Sequence, residues 1–195
     1  MKIPNTNPAQ MIAAILLAFI ANASSLASSG PSLAVQMQSA KPGPAHKQLA
    51  KLAGSYTTVT RFSAQPSAAP VDSNGTAKFT VVLDGRFLLE EDTGIFMGQE
   101  TKGLKVWGYD NATKQYISTW MYTGSTGFMS LSGDSKDDGK SVNFMASFND
   151  DSGGKQVFEA AMRWIDDDKF VVGLYAKNPD GSRGPTFETT YTRKK

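Results

Sequence analysis

Seven side chains in this sequence have the chemistry to hold a small molecule: Arg86, Glu90, Trp107, Tyr109, Tyr116, Trp120 and Arg163. The four rings offer flat apolar faces, each with an N–H or O–H at one end. Such rings either line a cavity for an apolar or aromatic ligand or fill a core with their own packing. Arg86, Glu90, Asp92, Glu159, Arg163 and Glu188 are charges within or beside predicted strands. Turned inward they require partners, because an unpaired buried charge is costly, and an inward arginine could grip a ligand's carboxylate. Turned outward they would discourage strand edges from pairing with other chains.

Other chemistries find little support. The chain has no cysteine, which removes thiol catalysis, disulfides and zinc–thiolate sites. His46 is the only histidine, and it falls on a predicted surface helix, far from any nucleophile–acid pair it could serve. Asp134, Asp137, Asp138 and Gly139 resemble a calcium loop only faintly and lack its closing bidentate glutamate. Acidic turn chemistry accounts for them, and for Asp166–Asp168, more simply. Neither a P-loop nor a dinucleotide fingerprint is present. No catalytic residue, metal ligand or cofactor is therefore assigned. The formal net charge of +2 gives no field for nucleic acid.

The candidate residues need a sheet to position them. Residues 105–122 (KVWGYDNATKQYISTWMY) read as one β-hairpin, with Asn111–Lys114 as its turn. A four-residue loop sets Tyr109 opposite Tyr116 and Trp107 opposite Ser118, with Trp120 on the same face. A loop of three or five residues would flip the two arms relative to each other. Strands are predicted at 55–62, 76–83, 86–96, 101–110, 115–122, 127–133, 141–149, 156–164, 169–177 and 186–193, about ten in all. Alternation is clean in several: Phe158, Ala160, Met162 and Trp164 share one face, as do Val142, Phe144, Ala146 and Phe148. Residues 45–53 predict a short helix with Leu49 and Leu52 on one face, His46, Lys47 and Lys51 in solvent, and Gly54 at its end. The stretch 63–75, with two prolines, is the one long irregular connection and would serve as a flap over a barrel mouth. One helix followed by a long meander predicts an all-β, antiparallel up-and-down barrel.

The chain of 195 residues, 19% charged and 40% hydrophobic, suits a single folded domain. Residues 1–27 read as a secretory signal: Lys2 is the only charge in the first forty residues, and 11–20 form an apolar core too short to span a membrane. Ala21-Asn22-Ala23 fits the small-residue cleavage rule, with no stable membrane span left after cleavage. Residues 28–44, rich in Ser, Ala, Pro and Gly, read as a flexible linker, and 45–195 as the barrel domain. A periplasmic or secreted destination follows.

The pieces His46-x-x-Leu49-x-x-Leu52-x-Gly54-x-Tyr56, Gly85-Arg86-Phe87 with Glu90-Glu91, Gly108-Tyr109-Asp110-Asn111, Ser118-Thr119-Trp120, Gly127 with Gly133, and Thr190-Tyr191-Thr192-Arg193 occur in this order. Together they resemble a bacterial family known only as a domain of unknown function, similar in turn to lipocalin-like (calycin) barrels. The match runs from about His46 to Arg193, and Tyr56 stands where such barrels usually carry a tryptophan. The resemblance implies the fold and supplies no activity. Some barrels of this kind ligate haem through a wall histidine, which a surface His46 could not imitate. The expectation is an exported barrel binding a small, mostly apolar ligand in its interior. Two alternatives stand beside it: a structural or partner-binding envelope protein with a filled barrel, and an enzyme using carboxylates such as Glu90 or Asp110.

Overall fold

The computed structural model describes residues 40–195 except 66–67, 97, 138, 151 and 179–180. The predicted signal and most of the predicted linker lie outside the described residues. A helix, α1 (Pro44–Ala50), precedes ten strands: β1 (Gly54–Ser63), β2 (Val71–Val82), β3 (Phe87–Phe96), β4 (Gln99–Asp110), β5 (Gln115–Tyr122), β6 (Met129–Asp134), β7 (Ser141–Asn149), β8 (Lys155–Trp164), β9 (Lys169–Lys177) and β10 (Arg183–Arg193). Each strand pairs antiparallel with its neighbour in sequence, and β1 closes on β10. The result is a closed up-and-down barrel. Closure leaves no free sheet edge.

The hairpin β4–β5 has the register that a four-residue loop dictates: Tyr109 opposes Tyr116, Trp107 opposes Ser118, and Lys105 opposes Trp120. Its turn is held by the Asp110 carboxylate, which accepts from the Ala112 N–H at 2.8 Å and the Thr113 hydroxyl at 2.9 Å. Lys114 completes the turn at φ 61°.

Helix α1 lies at one end of the barrel, beside the turns that join β2 to β3 and β4 to β5. Pro44 starts it, where a missing N–H costs nothing. Leu49 and Leu52 are buried as their spacing predicted. His46 is not in solvent, as had been expected, but buried. Its Nδ1 accepts the Gly43 N–H at 3.0 Å, and its ring meets the edge of Tyr109 at 5.8 Å. The reason is periodicity: positions 46, 49 and 52 follow one helical stripe.

The irregular stretch is also shorter than predicted. Strand β2 begins at Val71, and its first residues pair with the end of β1, Val71 with Phe62 and Ser73 with Thr60. Arg61 and Asp72 join across this pair through two bonds of 2.9 Å. Gly75 lets the strands approach closely, since a Cβ there would collide with Thr93 O and Thr58 Oγ1.

Inward residues near the helix pack solidly. Tyr56, Phe79, Leu88, Phe144, Met162, Phe170 and Tyr191 are all buried, and Phe170 stacks on Tyr191 at 4.4 Å. Burying a ring of this size contributes on the order of 2–3 kcal/mol. Toward the opposite end the inward side chains change. Thr60, Phe62, Trp120, Tyr122, Met129, Phe158, Val172, Leu174 and Phe187 face inward yet are only half-buried. The barrel is thus filled at the helix end and accessible toward the other.

Candidate functional site

Two adjacent strands, β3 and β4, together with β10 bring a charged cluster to the boundary between the filled and accessible halves. On β3, alternation turns Leu88, Glu90 and Asp92 inward. On β4 it turns Lys105 and Trp107 inward, and register sets Glu90 opposite Lys105. Tyr191 reaches the same point from β10, which only closure of the barrel makes possible.

The Glu90 carboxylate is completely buried and receives three donors. Lys105 Nζ donates to Oε1 at 2.8 Å, the Tyr191 hydroxyl to Oε1 at 2.9 Å, and Trp107 Nε1–H to Oε2 at 2.7 Å. Lys105 also donates to Asp92 Oδ2 at 3.2 Å and contacts the Tyr191 oxygen at 3.4 Å. The Lys105 side chain keeps 14% of its surface exposed and that of Asp92 keeps 22%, whereas that of Glu90 keeps none. Asp92 therefore forms the open side of the cluster. Gly103, opposite Asp92, makes room for it, because a Cβ at 103 would strike the Asp92 carboxylate.

Burial works against the Lys105 ammonium, but the Glu90 carboxylate, with Tyr191 and Asp92, outweighs it and holds the lysine pKa well above its usual range. Burial also pushes the Tyr191 phenol well above its ordinary value, and the charge of Glu90 pushes it further. A protonated lysine with its donors engaged is a poor nucleophile, and a fully enclosed carboxylate cannot reach a substrate proton. Glu90 and Lys105 thus form a charged floor that engages its own donors and acceptors, with Asp92 on its open side.

Aromatic walls rise from this floor. Trp120 stacks on Tyr122 at 4.7 Å, and Lys105 Nζ lies 5.3 Å from the Trp120 ring centre. Phe148 stacks on Phe158 at 5.4 Å. At the mouth, Phe62 stacks on Phe187 at 4.6 Å and meets Phe96 at 6.0 Å. The wall between β2 and β4 is lined by small residues instead: Ser73, Gly75, Gly94 and Gly103. Two polar atoms near the floor, Ser118 Oγ and Trp120 Nε1, are buried without a hydrogen-bond partner.

The structure therefore brings Glu90, Trp107 and Trp120 together. Tyr109 and Tyr116 share their face, with ring centres 5.0 Å apart, but belong to the helix-side packing. Arg86 does not join them. It lies in the β2–β3 turn, where Nη1 donates to Leu83 O at 3.2 Å, beside a shallow recess of about 250 Å³ that His46 and Ile117 also border. Arg163 is on the outer surface, 3.5 Å from Glu188, with both side chains well exposed. Sequence reasoning weighs Asp92 among the strand charges but does not single out Lys105 or Tyr191, the two further members of the cluster, or Ser118 nearby. Lys105 carried a usable signal, since it shares the parity of Trp107 and Tyr109.

Comparison with known proteins fits this architecture. Among solved structures, the chain is similar to the S-type phycobiliprotein lyase CPES from Guillardia theta, with a TM-score of 0.52 and 12% identity over 85% of this chain and 99% of that one. It is also similar to Rv2717c from M. tuberculosis, with a TM-score of 0.57 and 13% identity over 80% of this chain and 100% of that one. At such identities the likeness is one of fold. Comparison with curated proteins finds no match. The family model described as "Protein of unknown function (DUF1579)" matches residues 41–193, which takes in α1 and all ten strands, and the chain belongs to that family.

Proposed function

We propose that this barrel is a container for one small, largely apolar molecule, held in the half away from α1. The observation that carries the reading is the contrast along the barrel axis: inward residues near α1 are sealed, while inward Phe62, Trp120, Tyr122, Phe158 and Leu174 remain partly exposed. A barrel filled throughout by its own side chains would leave only its uncovered rim exposed and would seal Phe158, which is level with the buried Ala146 and Leu131. Aromatic walls with a few polar groups at the base are the usual make-up of a small-molecule site. The export expected from residues 1–27 belongs to the same proposal. The mature N-terminus of protein recovered from the periplasm or medium, read by mass spectrometry, tests that part.

Titration with Nile red, a neutral apolar dye, tests the container. The expected result is saturable, one-to-one uptake that quenches tryptophan emission and weakens at least tenfold in Trp120→Ala. Uptake that rises without saturation, or that ignores the substitution, would place the dye on the outer surface and overturn the reading.

A further inference from the structure

Taking the container as read, we propose that the molecule it holds carries a nitrogen cation, such as a primary ammonium, at the end that meets Asp92, and that the cup discriminates against carboxylates of the same shape. The inference deepens that reading and rests on it.

The floor places two carboxylates against one ammonium. Lys105 lies closest to Glu90, at 2.8 Å, and only secondarily to Asp92, at 3.2 Å. The other two donors to Glu90, Tyr191 and Trp107, contribute no positive charge. Among the described residues, Lys105 is the one hydrogen-bond donor to the Asp92 carboxylate. Asp92 is also the more exposed of the two acids.

An apolar body filling the cup would strip water from this carboxylate. Desolvating a charge without supplying a partner is costly, so the occupant's deep end has to replace the lost water with a donor. A cation does so with the larger gain, because opposite charge adds Coulomb attraction to the hydrogen bond that a neutral donor would also make to the carboxylate. An anionic end would meet Asp92 as like charge, and the three donors of Lys105 already face Glu90, Asp92 and Tyr191. The walls favour the same choice. Trp120 and Tyr122 offer stacked ring systems, whose faces attract cations. On the glycine-lined side, Gly94, where a Cβ would meet nothing closer than Thr101 Oγ1 at 3.9 Å, keeps the approach beside Asp92 uncrowded. Ser118 Oγ, buried without a partner, adds one more polar atom near the floor.

The test is a series of three probes of one shape: 1-naphthylmethylamine, 1-naphthylmethanol and 1-naphthoate, titrated near neutral pH by quenching of tryptophan emission. The expected order is amine, then alcohol, then carboxylate, with the amine at least tenfold tighter than the carboxylate. Asp92→Asn, which preserves size and leaves Glu90 paired with Lys105, should reduce that preference to threefold or less. If the variant does not fold, the order for the native protein decides alone. A carboxylate bound as tightly as the amine overturns the inference while leaving the container intact. Absence of saturable uptake for all three overturns both.

Discussion

Substituting Lys105 by methionine isolates the electrostatics of the barrel floor. The change keeps the length of the side chain and removes its charge. Glu90, completely buried, then loses the partner at 2.8 Å. At an effective dielectric of about 20, that contact represents roughly 6 kcal/mol of attraction, offset by several kcal/mol of desolvation for each ion. The net worth of the pair is small, but the cost of orphaning one member is not. Breaking a buried pair on one side typically costs about 3–5 kcal/mol. Here Tyr191 and Trp107 still donate to Glu90, which places the expected loss near the lower end, about 3 kcal/mol. Urea unfolding with linear extrapolation measures it, with an expected midpoint shift of about 1–2 M at unchanged slope. The companion variant Glu90→Gln/Lys105→Met removes both charges and should recover at least half of the loss. A single variant that loses less than about 1 kcal/mol, or a double variant no more stable than the single one, refutes the view of Glu90 as a carboxylate dependent on its lysine.

Trp107→Phe should cost about 2–3 kcal/mol in the same unfolding assay, because Glu90 loses a charge-assisted bond of 2.7 Å; a loss below about 0.5 kcal/mol would show that the indole N–H is dispensable. Gly133→Ala forces a Cβ into Asn143 O on β7 and should cost about 1–3 kcal/mol, whereas Gly127→Ala, whose Cβ would meet only Ser125 Oγ at 3.6 Å, should be near neutral. His46 supplies a pH dependence. Burial, aided by the charge of Arg86 and opposed by a hydrogen bond to the Tyr109 backbone, lowers its pKa below the usual 6.5. The unfolded chain then binds the extra proton first, so this contribution to stability is complete above about 6.5 and is lost as pH falls toward the depressed folded value. Urea midpoints followed across that window should fall more steeply with acid for the native protein than for His46→Gln, and parallel curves would contradict the assignment.

The barrel was legible because strand alternation and short turns act locally. The face shared by Trp107, Tyr109, Tyr116 and Trp120 follows from parity and loop length alone, which depend on no distant residue. The buried position of His46 was also within reach, since it lies three residues before Leu49 on one stripe. Reading it as solvent-exposed gave polarity precedence over periodicity. The start of β2 at Val71 was hidden by Ser73, Asn74 and Gly75, whose composition suggests a loop. Their strand geometry comes from pairing with β1, fastened by Arg61 and Asp72. The charged floor was not legible for a different reason. Parity turns Glu90, Asp92 and Lys105 inward, but it does not fix depth along the axis. The hydrogen bond from Tyr191 to Glu90 joins residues 101 apart in sequence, and it depends on β10 closing against β1. Arg86 and Arg163 looked equivalent to Glu90 as strand charges, yet one sits in a turn and the other on the outer face.

The most direct measurement is a crystal structure of the protein grown with 1-naphthylmethylamine. The account predicts the naphthyl ring within the cup against Trp120 and Tyr122, and the ammonium within hydrogen-bond distance of the Asp92 carboxylate. A cup closed by its own side chains, with the amine bound only to the outer surface or not at all, would contradict it.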